Sequence, residues 1–363
     1  VPPSPPLLGP RRAAPDPSVA PAAGPRDALA PGARDASDAL APGASDALAP
    51  GASDALAPGA PGASDTFDAA LDDAELRTAR AALAKGRRQA ARSLLVHTGD
   101  DWDRRGHRLT VLAQDPRATA WAGDWLAAEP GSVDAATLLA LALVHRAVRG
   151  EEEPGRARDS CATAAALAPA DPTPWLGLLL LARALGPESA LLDAFTELRR
   201  RHPEHHHAHH LLIACLAERP GCGRAETHEV YDAAELAAAE APADSPLAVL
   251  PAVAYAERYR VLAATGLGPA DPAASRHWSG PRARRVLGAC FDWWLEWEQD
   301  EHPRRLIDLN HLAFALSCAG RPAEAAALFQ RIGDHATPAP WAYAHRDPLA
   351  AFRAARARAL GPG

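Results

Sequence analysis

The sequence predicts an all-α protein, a solenoid of helical hairpins behind a disordered N-terminal tail. Three observations predict it. From Asp65 onward apolar residues recur at helical spacing. No run of alternating Val, Ile and Thr reads as a strand. Gly or Pro closes each periodic segment within a few residues. Composition agrees: 48% of the 363 residues are hydrophobic but only 5% aromatic, so the core must be built mostly of Ala and Leu. Alanine permits close helix–helix approach and has the best helix propensity.

Residues 1–65 form the expected tail. Of the 35 prolines, 14 fall here, and the unit D-A-L-A-P-G-A recurs from Asp27, Asp38, Asp46 and Asp54. The last three copies form an octad with one Leu each, which is too little to build a core, and Pro with Gly interrupts any helix. The chain lacks methionine and begins with Val1, which we expect to be a GTG start translated literally.

Residues 66–363 are expected to be a helical repeat domain. Leu71, Leu76, Ala79 and Leu83 share one face before Lys85-Gly86 stops the segment, and Leu94 and Leu95 belong to the next. A helix is expected over Arg104–Ala113, capped by the Asp101–Asp103 segment with Trp102 packed inward. Helices follow over 134–148, 155–168, 173–184, 189–201, 205–217 and 225–240. Four more are expected over 247–262, 282–298, 306–319 and 323–332.

The clearest repeat starts at Trp175. Leu178, Ala182, Gly186, Leu191, Phe195, Leu198 and Pro203 follow it at offsets that resemble the tetratricopeptide repeat, a helix–turn–helix unit. Trp175, Leu178 and Ala182 would line the inner stripe of the first helix. Leu309, Leu312, Ala313, Leu316, Gly320, Ala325 and Phe329 resemble a second copy, and His209 continues the phase of the first. Leu179 and Ala182 depart from the pattern, standing where the repeat has a small Gly and a Tyr. More loosely, Asp101–Arg105, His107–Leu109, Trp125-Leu126 and Asp308–Ala313 resemble a family of uncharacterised bacterial helical-repeat proteins, domain of unknown function 4034. That resemblance implies a fold and no activity.

Thirty-eight basic against 45 acidic residues give a net charge of −7, which disfavours a nucleic-acid partner. Apolar stretches such as 175–182 are too short to span a membrane. Five widely spaced cysteines, Cys161, Cys215, Cys222, Cys290 and Cys318, suit reduced thiols and a cytoplasmic protein. Phosphate-binding and nucleophile-elbow loops are lacking, and His228-Glu229 has Asp232 where a zinc protease needs its second His.

The expected function is therefore a non-enzymatic scaffold that holds a protein or peptide on its concave face, with no cofactor. Arg183, His207, His210, Asn310, Phe314 and Ser317 are expected to line that face, with Trp293 and Trp297 as nearby anchors. The Lys and Asn set by which some tetratricopeptide proteins clamp a peptide carboxylate does not occur here. A second reading is metal binding by the segment from His202 to His210. On one helix His205/His209 and His206/His210 are i, i+4 pairs that can chelate a cation, with Glu204 or a neighbouring His as a further ligand. A third is an enzyme drawing acid and base from Asp101, Asp103 and His107.

Overall fold

A computed structural model describes residues 67–220, 228–297 and 301–361; the expected tail over 1–65 and Cys222 lie outside them. The described residues form sixteen α-helices and no strand. The first eight are α1 (Ala74–Ala84), α2 (Gln89–Thr98), α3 (Trp102–Leu112), α4 (Ala118–Ala128), α5 (Val133–Val148), α6 (Pro154–Leu167), α7 (Thr173–Leu185) and α8 (Glu188–Arg199). Then come α9 (His206–Glu218), α10 (Glu229–Glu240), α11 (Leu250–Ala264), α12 (Pro281–Glu296), α13 (Arg305–Cys318), α14 (Pro322–Ile332), α15 (Pro338–Trp341) and α16 (Pro348–Leu360).

The helix ends follow local chemistry. Asp73, Asp101, Ser132 and Asp347 each accept a hydrogen bond from the backbone N–H three residues on, satisfying a donor that the helix itself cannot. Proline opens α6, α12, α14 and α16, where its missing N–H costs nothing. Gly186 ends α7 as the Trp175 repeat requires: a Cβ there would stand 2.9 Å from the Ala182 Cα.

The apolar residues bury into three successive clusters, and two helices are shared between neighbours. Ala135, Leu138, Leu141 and Ala142 of α5 face the first cluster, with α1–α4, while Ala136, Ala140, Leu143 and Val144 face the second. Likewise α9 gives Ala208 and Leu211 to the second cluster and Ile213, Leu216 and Ala217 to the third. A helix serving two cores is apolar on both sides, which is why α5 reads as an almost unbroken Ala/Leu run. Phe195 of α8 is buried in the second cluster against His209, with ring centroids 5.2 Å apart at 89°. Trp175 and Leu178 are only partly buried, whereas Leu176, Leu179 and Leu180 fill the core. This corrects the expected inner stripe of α7 and turns it by about one residue.

Three helices have no counterpart among the sequence-derived segments, the four-residue α15 and the longer α4 and α16. Helix α4 is nearly apolar all round, and α16 is mostly Ala and Arg, so neither carries a clear 3.6-residue stripe. Helix α3 is the reverse case: Arg105, His107 and Arg108 are buried although polar. Arg105 reaches Asp171 at 2.9 Å and Asp134 at 2.6 Å, and Arg108 reaches Asp73 and Thr98, each at 2.8 Å. Tertiary partners thus satisfy a segment whose composition reads as surface.

The third cluster holds most of the aromatic rings. His277 lies in it, half-buried, with its Nε2–H donating to the Tyr255 carbonyl at 2.8 Å and its centroid 4.7 Å from that of Trp278. Burial pushes its pKa down to about 4. The unfolded ring, with a pKa near 6.5, takes up its proton first as pH falls, so the native state loses stability from about pH 6.5 toward pH 4. Wild type is expected to lose about 2 kcal/mol more than His277→Gln between pH 6.5 and pH 5. Urea titrations at the two pH values measure this; equal losses refute a neutral native ring.

Candidate functional site

Two carboxylates organise the histidines, the half-buried Asp103 and the buried Asp308. Asp101 caps α3 and thereby sets Asp103 in its first turn, facing the start of α9. Gly106, one turn further, lets α3 approach closely: a Cβ there would lie 3.3 Å from the His205 Nε2. Asp103 accepts a hydrogen bond from the His206 backbone N–H at 3.0 Å, an anion at a helix N-terminus, and one from the His202 ring at 2.8 Å. His205 Nδ1 is 3.6 Å from the same carboxylate and caps α9 by accepting from the Ala208 N–H.

On the other side of α9, the His206 Nε2–H donates to Asp308 Oδ2 of α13 at 2.7 Å. His210, one turn along, places Nε2 2.9 Å from Asp308 Oδ1, and the two imidazole centroids are 4.2 Å apart. The three side chains are buried, and one potential ligand atom from each lies within 4.8 Å of the others. His302 stands beside them, its centroid 4.4 Å from that of His206 and its Nε2 3.8 Å from Asp103. His311 approaches His210 edge-on at 5.9 Å. The helical period brings His206 and His210 to one face of α9, and the packing of α13 supplies the carboxylate between them.

The electrostatics follow from burial. Desolvation works to raise the Asp103 pKa, but His205, His202 and His302 outweigh it and hold the carboxyl well below its usual range. Asp308 is buried and likewise held down, by His206 and His210. Burial pushes His205 down to about 3 and His206 well below its ordinary value. In His202 the hydrogen bond and charge of Asp103 overcome desolvation and raise the pKa. The cluster therefore sets ionised carboxylates beside the neutral rings of His205 and His206, with His202 the ring that favours its proton.

Of the two i, i+4 pairs expected from the sequence, the structure assembles one. His206 and His210 converge; His205 turns to the α9 cap, and His209 turns away to Phe195 and the Pro203 carbonyl. Asp308, which no spacing rule pointed to as a ligand, completes the pair. The acid–base trio disperses too: Asp101 is a cap, Asp103 a partner of histidines and His107 a buried side chain of α3. His228 caps α10 by accepting from the Val230 N–H, a structural role.

The expected partner-binding residues do not share one open face. Asn310 and Phe314 are 0% and 1% exposed, which corrects their expected place on an accessible surface. Phe314 packs edge-on to Trp341 and Trp278 at 5.4 and 5.7 Å, because the third cluster wraps round both sides of α13. Asn310 accepts from the Trp341 Nε1–H at 2.8 Å and donates to the Leu306 and His335 carbonyls. His207 is buried, Ser317 is half-buried, and His210 belongs to the cluster above. Arg183 forms an ion pair with Glu218, and Trp293 donates to the Ala243 carbonyl at 2.7 Å. Only Trp297 is substantially open, at 37%.

An open trough lies elsewhere, between the start of α6 and the α7–α8 hairpin. Trp175, Leu178, Leu181, Leu185, Pro187 and Ala190 line it, and its volume is about 260 Å³. Leu185 is 51% exposed at its rim. Cys161 and Cys290 are buried thiols whose pKa burial raises to about 12, so neither is a ready nucleophile. No helix among the described residues is long and apolar enough to cross a membrane. Compared with known proteins, the chain matches no family model and no curated protein.

Proposed function

We propose that this chain is a non-enzymatic scaffold of tetratricopeptide-like helical hairpins that holds a protein partner through the trough on α7 and α8. The observation that carries this reading is the trough itself: an apolar recess with partly exposed Leu and Trp side chains, set on consecutive packed helices. At about 260 Å³ it is below the range of most small-molecule pockets, roughly 300–1,000 Å³, and suits one or two anchoring side chains of a peptide. In the His–Asp cluster, by contrast, His206, His210 and Asp308 are buried between α9 and α13 and present no open recess. The expected anchors Asn310 and Phe314 give way in this reading to Trp175, Leu178 and Leu185. A Trp such as Trp175 is the kind of anchor that dominates interface energy when a partner covers it, and Leu178 and Leu185 supply apolar area around it.

Leu185→Asp changes a half-exposed residue, so it is expected to leave the melting temperature almost unmoved while weakening partner capture at least about tenfold. Affinity capture with residues 66–363, with and without chelator, followed by titration with the purified partner, checks this. A partner bound equally well by wild type and Leu185→Asp refutes the assignment of the trough. A partner lost on chelation ties capture to a cation instead.

A further inference from the structure

We propose that His206, His210 and Asp308 form a divalent-cation site of the zinc type, which fastens α9 to α13. The inference goes beyond the scaffold reading and does not depend on it. It begins with convergence: two imidazoles one helical turn apart and a carboxylate from a helix about a hundred residues later present ligand atoms within 4.8 Å of one another. In a tetrahedral zinc site the metal–ligand distances are about 2.0–2.2 Å, which sets ligand atoms roughly 3.3 Å apart. His206 Nε2 lies 2.7 Å from Oδ2 and His210 Nε2 lies 2.9 Å from Oδ1, so a cation would sit between the rings and the carboxylate edge, with the rings drawing back by about half an ångström.

Hydrogen bonding alone leaves this arrangement incomplete. The His210 Nε2 and Asp308 Oδ1 are buried and meet only each other, at 2.9 Å and outside good hydrogen-bond geometry. A poorly paired buried donor and acceptor are costly, and a cation between them relieves both at once. It would also neutralise a buried carboxylate that hydrogen-bonds to a ring rather than to a guanidinium or ammonium. Two imidazole nitrogens and one carboxylate oxygen favour zinc, cobalt or nickel over calcium or magnesium, which prefer all-oxygen sites. Coordination through Nε2 requires each ring to carry its proton on Nδ1, so binding moves the His206 proton off Nε2, where it now bonds Asp308.

Three protein ligands leave a fourth tetrahedral position for a water, and the burial of all three side chains keeps that position from a substrate, so the site is suited to holding helices together. A cation held only by the native geometry adds its binding energy to folding. Occupancy would therefore stiffen the join between the second and third clusters, since α9 contributes to both.

The test uses untagged full-length protein stripped with chelator and titrated with Co²⁺ and then Zn²⁺. The expected result is one ion per chain, tetrahedral d–d absorption with Co²⁺ that Zn²⁺ displaces, and a rise in melting temperature. Asp308→Asn, whose amide can still bond to the rings, is expected to weaken binding by about 100-fold or more. His209→Gln removes an imidazole from the same segment but not from the site, so it is expected to bind as wild type does. Absence of one-to-one binding at micromolar cobalt overturns the proposal. So does Asp308→Asn binding as wild type does, or His209→Gln losing the ion as fully as Asp308→Asn. Should Asp308→Asn fail to fold, the wild-type cobalt spectrum decides: tetrahedral bands at one equivalent support the site, and an octahedral spectrum refutes it.

Discussion

Phe314→Ala is expected to lower the unfolding free energy by about 3–5 kcal/mol, the usual cost of truncating a buried aromatic. The ring stands at the centre of the third cluster, within 6.1 Å of the centroids of Tyr259, Trp278, Trp341 and Tyr343. Arg346 covers it from 5.5 Å. These neighbours come from three different segments, so no single movement closes the cavity that alanine leaves. Chemical denaturation with an unchanged m-value measures the loss. A change under about 1 kcal/mol would place the ring at a surface, as the repeat frame read alone suggests.

Asn310→Ala is expected to cost about 2–4 kcal/mol, because it leaves several buried polar groups without a partner. Its Oδ1 accepts from Trp341 and, at 3.4 Å, from the Thr337 N–H; its amide donates to Leu306 and His335 carbonyls. The side chain ties α13 to the segment that leads into α15. The same denaturation experiment should show Asn310→Asp doing comparable damage, since a carboxylate cannot donate to the two carbonyls. Should both variants be as stable as wild type, the side chain is not part of this network.

The histidine segment shows how far spacing alone can reach. Four of its rings are compatible with a chelating pair when placed on a helix, and the sequence offers no means of choosing. The choice comes from packing: α3 brings Asp103 to the α9 cap and occupies His202 and His205, while α13 brings Asp308 to His206 and His210. A signal existed in Asp308-Leu309-Asn310-His311, where three polar side chains interrupt a buried helix. Buried polar residues on an apolar element demand partners, and these found theirs across the core.

Composition and periodicity by themselves determined that this protein is built of helices, because Ala and Leu at 3.6-residue spacing, punctuated by Gly and Pro, admit little else. They also located most helices and the α7–α8 and α13–α14 hairpins, since caps, breakers and apolar stripes are local properties. Only the tertiary structure decided which polar residues are interior. Phe314 and Asn310 lie opposite the Leu309–Leu312–Leu316 stripe and read as an outer face of α13. They are core because α11, α15 and the aromatic segment near Trp278 pack on that face too. A helix pattern reports how many sides are apolar, whereas the number of neighbours it receives depends on segments a hundred residues away. The same long-range packing seals Asp308 between His206 and His210.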